Sequence, residues 1–387
     1  MKLLRLVVSE LPLLEEKCSI DFLATQRVNE DSETKMGLLT TNGETKFYQN
    51  NVLAFAGINA SGKTTVLKLI SFVCSLLANE PLNGSPYPEL FDGIEKGKEA
   101  TFDIYFLDDA YAYLLRSSIS KENGRLLIKD ESLFQKPAGK IKKKDAFFAF
   151  DGVKPILTRN ENEPFLLNDV SIMVAFNKKR KDPVCFVDML RYTNVNELSL
   201  SADCPAELIS FFDPSIEFLK INKSGNENDI RLKFRGKEEI ALTRLVELNR
   251  YLSSGTIKGI DTFLAAIKTF ETGGYLIIDE LENHFNHEIL STLVRLYMDK
   301  KTNPKGAVLI YSTHYVELMD EMMRNDNIYI TTNSNGIHVK KLVTMLKRND
   351  IKKSEAYKSG YLEGTVPEYE AYMALKKALV ALAQKGD

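Results

Sequence analysis

The chain has 387 residues, 51 Lys and Arg against 53 Asp and Glu, and a formal net charge of −2. With 44% apolar and 27% charged residues it reads as globular, with material for one large α/β domain or two to three smaller units. A near-neutral balance gives no global pull toward nucleic acid or membrane, and the longest apolar runs, at 275–278 and 307–311, are far too short to cross a bilayer.

In chain order, residues 1–49 alternate apolar and polar side chains in pieces (Leu3, Leu4, Leu6, Val8; Ile20, Phe22), the pattern of β-strands leading into the glycine-containing segment beyond residue 50. No signal peptide is expected, because residues 1–8 run into Glu10, Glu15 and Glu16. Phe47 or Tyr48 could stack on a base, although an aromatic before a strand more often packs. Residues 51–70, NVLAFAGINASGKTTVLKLI, place Gly57 and Gly62, Lys63, Thr64 in the pattern G-x-x-x-x-G-K-[ST]. An apolar run precedes it, and Val66, Leu67, Leu69, Ile70 and Val73 come after it at helical spacing, which is the strand–loop–helix setting the pattern requires. Glycines let backbone N–H groups close on phosphate oxygens, and the helix start adds its positive end. Lys63 would reach the β- and γ-phosphates, and the Thr64 hydroxyl would ligate Mg²⁺.

Residues 79–98, rich in Pro, Gly and Asn, read as a loop. From 100 to 128 three alternating runs separated by Asp108–Asp109 and Asn123–Gly124 predict an antiparallel meander. KPAGKIKKK at 136–144 is either a solvated loop or a phosphate-contacting patch for nucleic acid. Residues 169–222 mix helix and turn signals. Asn177, Lys178, Lys179 and Arg180 begin like the guanine-reading N-K-x-D motif but lack its final Asp, so GTP gains no support. A hairpin is expected at 230–234 and 239–242, and the lack of long heptad stretches between 65 and 252 excludes a coiled-coil arm. The four cysteines, Cys18, Cys74, Cys185 and Cys204, lack metal-ligand spacing; buried free thiols in a cytoplasmic protein are expected.

YLSSGTIKGIDTFLAAI puts Ser253, Ser254 and Gly255 at the start of an amphipathic helix, where hydroxyls and unpaired N–H groups can hold an anion. GGYLIIDELENHFN then predicts a buried parallel strand ending in Asp279 and Glu280. An aspartate at such a strand end holds Mg²⁺ in phosphate-loop NTPases, and a following glutamate can orient the attacking water. AVLIYSTHYVELMD predicts another buried strand, ending in Ser312, Thr313 and His314, from which a histidine can touch the γ-phosphate. His284 and His287 fall at a spacing that could ligate a metal, yet without further ligands nearby. The acid pairs Asp108–Asp109 and Asp320–Glu321 read as solvated.

Phosphate loop, L-S-S-G-T signature, strand with D-E and strand with S-T-H, in that order, resemble the ABC-type ATPases, specifically the RecF, SMC and OLD group rather than transporters. GINASGKTT, YLSSGT, LIIDELENHF, the meander and the late GYLEGTVPEYE are similar to the short ATPases of bacterial abortive-infection systems, including the AbiLi type and the ATPase of the PARIS system. The resemblance covers residues 1–372, and only its nucleotide motifs are specific. It implies an α/β fold: one ABC-ATPase head with a P-loop mixed sheet, an antiparallel β-meander subdomain and a helical insertion. The expected parts are N-terminal strands, phosphate loop and first helix at 1–79, meander and lysine-rich loop at 80–165, a mixed or helical lobe at 166–250, the signature-to-histidine lobe at 251–340 and a helical tail at 341–387.

By the same resemblance, Gly57, Asn59, Ser61, Gly62, Lys63, Thr64 and Thr65 would cradle ATP and Mg²⁺, with Asp279 holding the metal through water. Glu280 would polarise the hydrolytic water, and His314 would sense the γ-phosphate. Ser253, Ser254 and Gly255 would contact the nucleotide of a facing subunit, making a homodimer or higher homo-oligomer the active unit. Two features depart from the pattern: no glutamine loop is identifiable, Gln135 being the one Gln between 65 and 252, and the dimer-contact loop is assigned provisionally to Glu282 and Asn283. Too little chain comes after His314 for the nuclease domain of OLD-type proteins, so a separate effector, a toxin or nuclease, is expected, with a phage-encoded trigger and no membrane. The alternative is a RecF-like clamp that binds duplex DNA through residues 136–144. A transporter subunit is disfavoured by the wide interval between Lys63 and Gly255.

Overall fold

The computed structural model describes residues 1–42, 45–159, 166–178, 184–192, 205–224, 227–283, 285–348, 351–362, 364–365 and 369–383. Strand β5 (Val52–Ala56) is buried at every position, as the continuous run VLAFA requires of a strand covered on both faces. It lies inside a six-stranded sheet of order β10-β14-β15-β5-β16-β17, built with β10 (Phe186–Asp188), β14 (Tyr275–Ile278), β15 (Val308–Thr313), β16 (Ile328–Asn333) and β17 (Ile337–Lys341). All pairs are parallel except β16 with β17. Because Ile278 faces Tyr311 and Thr313 faces Ala56, the C-terminal ends of β14, β15 and β5 finish side by side. Ligands of open α/β sheets bind at that edge.

The helix Lys63–Leu77 is apolar almost all round, and it is buried between two sheets. One core joins its Leu67, Ile70 and Val73 to Phe55 and Ile310 of the parallel sheet and to Phe102, Ile104 and Leu115 of the second. That second sheet is antiparallel, in the order β2-β1-β6-β7-β8-β9: β1 (Lys2–Ser9), β2 (Lys17–Asp21), β6 (Ala100–Asp108), β7 (Tyr111–Glu122), β8 (Arg125–Pro137) and β9 (Pro155–Thr158). The expected meander is therefore present, but the N-terminal strands belong to it: β1 pairs with β6 from Lys2 opposite Leu107 to Ser9 opposite Thr101.

On the other face of the parallel sheet, the helices Ser254–Thr272 and His287–Met298 share a core in which Ala266, Leu276, Leu290, Val294, Leu309 and Tyr311 take part. The lobe expected to be mixed or helical contains both strands and helix. Strands β11 (Ile216–Ser224), β12 (Glu227–Phe234) and β13 (Glu239–Leu242) form a sheet that packs, with the helix Ala206–Phe212, on Ile257, Ile260 and Leu264. Gly259 is required there, since a Cβ would lie 2.2 Å from the Phe212 ring. Strands β3 (Gly37–Asn42) and β4 (Thr45–Gln49) form a hairpin. Its Phe47 is buried edge-on against Phe147 at 4.9 Å, so it packs rather than stacking on a base.

Several expected surface charges prove structural. Lys136 donates to the carbonyls of Ala146 and Ala149 and sits 4.0 Å over the Phe150 ring. Lys144 donates to Thr25 O at 2.9 Å and Gln26 O at 3.0 Å. Lys140, Lys142 and Lys143 alone of the five loop lysines are exposed. Asp108 is buried and pairs with the Met1 amino group at 2.9 Å. Asp320 accepts the Lys353 and Ser354 N–H groups, and Glu321 takes a bidentate bond from Arg295. Gln135 lies within β8 opposite Tyr113. The helix Tyr369–Ala383 is largely exposed, with Tyr369 at 73%, Leu375 at 59% and Leu382 at 66%, while Met373 is half-buried. Among the described residues no helix is long and apolar enough to cross a membrane.

One ionic node fastens the two sheets' peripheral segments. Asp326, with its side chain fully buried, accepts from Thr25 N at 2.6 Å, Gln26 N at 2.8 Å and Arg324 Nε at 2.8 Å. Burial pushes its carboxyl up, but the Arg324 bond and charge, the Gln26 N–H and Lys341 outweigh that and hold it below the usual range. A folded pKa below the unfolded one contributes stability that is complete above the unfolded value and is lost as pH falls through the folded value. Asp326→Asn is expected to cost about 3–5 kcal/mol at neutral pH by leaving Arg324 buried without its counter-charge. It should also flatten the acid limb below about pH 4, as urea unfolding across pH would show.

Candidate nucleotide site

The loop after β5 is shaped by close approach. At Gly57 a Cβ would lie 2.6 Å from Thr331 O, and at Gly62, whose φ is 95°, it would lie 2.5 Å from the Ile337 side chain. Ser61 Oγ and Thr331 Oγ1 are 2.8 Å apart, and Asn333 Nδ2 donates to Ala60 O at 3.2 Å, so β16 braces the loop from one side. Gly62 is the N-cap of the helix, whose first backbone bond runs from Val66 N to Gly62 O. The N–H groups of residues 63–65 are thereby left for an anion. Asn59 is exposed and Thr65 half-buried.

Lys63 is only 6% exposed, and its Nζ donates to Gly57 O at 2.8 Å and Ile58 O at 3.1 Å. An ammonium has three donors, so one remains. Burial lowers the pKa of Lys63, against the opposing pull of Asp279, Glu280 and Glu282. Thr64 Oγ1 donates to Asp279 Oδ2 at 2.7 Å, keeping its lone pairs free for a cation. The other carboxylate oxygen, Oδ1, accepts from Ser312 Oγ, and that same Ser312 oxygen accepts the Glu280 N–H at 2.8 Å.

Glu280 has φ 46°, a left-handed conformation uncommon outside glycine. The turn it opens closes with Asn283 N donating to Glu280 O at 2.9 Å, while Asn283 Nδ2 holds Glu280 Oε2 at 2.7 Å. Glu280 Oε1 stays 3.7 Å from His314 Nε2. Glu282 Oε1 accepts the His314 N–H at 2.5 Å. Lys63, Thr64, Asp279, Glu280 and His314 thus meet in one place, as their order in the sequence suggests.

The signature segment stands differently. Ser253 is the N-cap of Ser254–Thr272, its Oγ accepting the Thr256 N–H at 3.0 Å, and Ser254 and Gly255 open the helix. Among the described residues no hydrogen bond joins Ser253, Ser254 or Gly255 to the phosphate loop. Lys258, one turn on, does feel Glu280: burial lowers its pKa and the Glu280 charge raises it. Sequence reasoning left Ser312 without a role, although it stands in the S-T-H run. Thr331 and Asn333 escaped it altogether, because β16 reaches the loop through pairing of Ile330 with Ala56, which leaves no local signal.

Other candidates fall away. His287 Nδ1 lies 3.3 Å from Ser291 Oγ of its own helix, and His284 lies outside the described residues. Among the described residues no group of three or more His, Cys, Asp or Glu could hold a metal. Asn177 donates to Leu77 O and Asn79 Oδ1, a structural use, and residues 179–180 lie outside the described set. Cys18 and Cys74 are buried and free, Cys185 is half-buried and free, and Cys204 lies outside the described residues.

Over residues 52–320 the chain matches the family model described as AAA domain, putative AbiEii toxin, Type IV TA system. The chain belongs to this AAA family. No curated protein matches it. The family is one of P-loop ATPases associated with toxin–antitoxin-type systems, in which nucleotide and Mg²⁺ are the usual ligands. The AAA site fits both: the N–H groups of residues 63–65 at the helix start are left for an anion, Lys63 keeps a donor, and Thr64 keeps its lone pairs beside Asp279. Ser312→Ala is expected to leave ATP affinity within a few-fold while slowing hydrolysis about tenfold or more, since Asp279 and the Glu280 N–H lose their shared partner. Isothermal titration and a phosphate-release assay check the two halves.

Proposed function

We propose that this AAA-family protein is an ABC-type, Mg²⁺-dependent ATPase whose ATP-bound form joins two or more copies of the chain. We further propose that the assembly serves anti-phage defence by controlling a separate toxin or nuclease in response to a phage-encoded trigger. The observation that carries the catalytic part is the continuous hydrogen-bond chain Thr64–Asp279–Ser312–Glu280 beside Lys63.

In this reading the N–H groups of residues 63–65 and the third Lys63 donor take phosphate oxygens. Thr64 and Asp279 would hold Mg²⁺, which supplies charge neutralisation on the β- and γ-phosphates. Glu280, with Oε2 held by Asn283, turns Oε1 toward the attacking water and accepts its proton. His314 stands beside that oxygen and can donate to the γ-phosphate. The Ser253 hydroxyl is committed to its own cap, so a facing copy would offer the Ser254 hydroxyl and the first N–H groups of its helix. The family description supports a toxin-related partner, and the exposed apolar helix Tyr369–Ala383 suits a chain that works within an assembly.

Lys63→Ala is expected to abolish nucleotide binding. Glu280→Gln is expected to bind ATP normally, hydrolyse it at least about a hundredfold more slowly and accumulate the larger assembly in light scattering. An oligomer distribution for Glu280→Gln that ATP leaves unchanged would count against the mechanism.

A further inference from the structure

Behind the catalytic turn, Glu282 Oε2 and Tyr311 Oη are both buried, and among the described residues neither has a hydrogen-bond partner. Such atoms need an account, because buried polar groups are paired in the great majority of proteins. Tyr311 is fully buried in β15, on the face that packs against Ile278, Leu290 and Val316. Burial, and then the charges of Glu282 and Glu321, push its pKa up, so the phenol keeps its proton and remains a donor. Two carboxylates are in electrostatic reach, and only one lacks a donor. Glu321 is held by both Arg295 nitrogens, whereas Glu282 has one oxygen on the His314 N–H and, among the described residues, no donor on the other.

We propose that Tyr311 donates to Glu282 Oε2, directly or through one enclosed water, and that this bond positions His314, and through it Glu280, for hydrolysis. The inference rests on the ATPase reading of the site. The connection is short: Glu282 grips the backbone of His314, and the His314 ring stands 3.7 Å from Glu280 Oε1. Tyr311 lies three residues before His314, so its bond to Glu282 would fasten the end of β15 to the turn after β14 at a second point. Without it Glu282 is anchored only by the amide it is meant to hold. Tyr311 touches neither the nucleotide nor the attacking water in this scheme and is a positioning residue.

Tyr311→Phe removes the hydroxyl and keeps the ring that fills the core. Amide hydrogen exchange at His314 is expected to speed up about tenfold with the melting temperature unchanged, and kcat for ATP to fall about tenfold with KM within about twofold. In a Glu282→Ala background the same substitution should change neither reading further. Unchanged exchange and kcat in Tyr311→Phe would overturn the proposal, and so would losses that multiply in the double variant. If the wild type fails to hydrolyse ATP, the reading of the site falls, while exchange at His314 still decides whether the bond exists.

Discussion

Asp279 and Ser312 leave neighbouring parallel strands at the same level, and the hydrogen bond between them ties the phosphate loop to the turn that carries Glu280. Ser312 gives its one proton to Asp279 and takes the Glu280 N–H on a lone pair, so a single oxygen sets both acids. Thr64 brings the helix start onto the other oxygen of Asp279. The left-handed backbone at Glu280 costs on the order of 1 kcal/mol, and the bonds from Ser312 and Asn283 offset it. Remove the parallel register that sets Ile278 against Tyr311 and none of these contacts survives.

Rigidity around that bond comes from burial on both sides. The helix Lys63–Leu77 is enclosed between two sheets, so the phosphate loop hangs from an element that cannot shift without disturbing either core. Strand β16 braces the same loop through Thr331 and Asn333, and the Asp326–Arg324 node ties the segment before β16 to residues 25–27. Two of the five loop lysines, Lys136 and Lys144, are spent inside this framework. That shrinks the patch on which a DNA clamp would depend.

The candidate nucleotide site was legible because its signals are local. A run of apolar residues, two glycines and a Lys-Thr pair describe strand, loop and helix within twenty residues of sequence, and Asp279, Glu280 and His314 come after buried strands that read as such. What stayed hidden depends on distant partners. Nothing in Lys2–Ser9 tells that it pairs with Ala100–Asp108, because alternation specifies a strand and not its neighbour. Asp108 and Asp320 looked like turn acids until the Met1 amino group and the Lys353 and Ser354 amides arrived from elsewhere in the chain. Tyr311 looked like one more apolar residue of a buried strand, and only its neighbours make its hydroxyl matter.

In the proposed assembly one copy supplies the phosphate loop and another supplies Ser254 and Gly255. Mixing two inactive variants tests it most directly: Lys63→Ala, which keeps the signature segment, and Ser254→Arg, which keeps the phosphate loop. Each alone should be inactive, and the equimolar mixture should recover roughly a quarter of the wild-type ATPase rate, since half of the dimers then hold one intact composite site. A mixture that forms mixed dimers yet stays as inactive as its components would contradict the account.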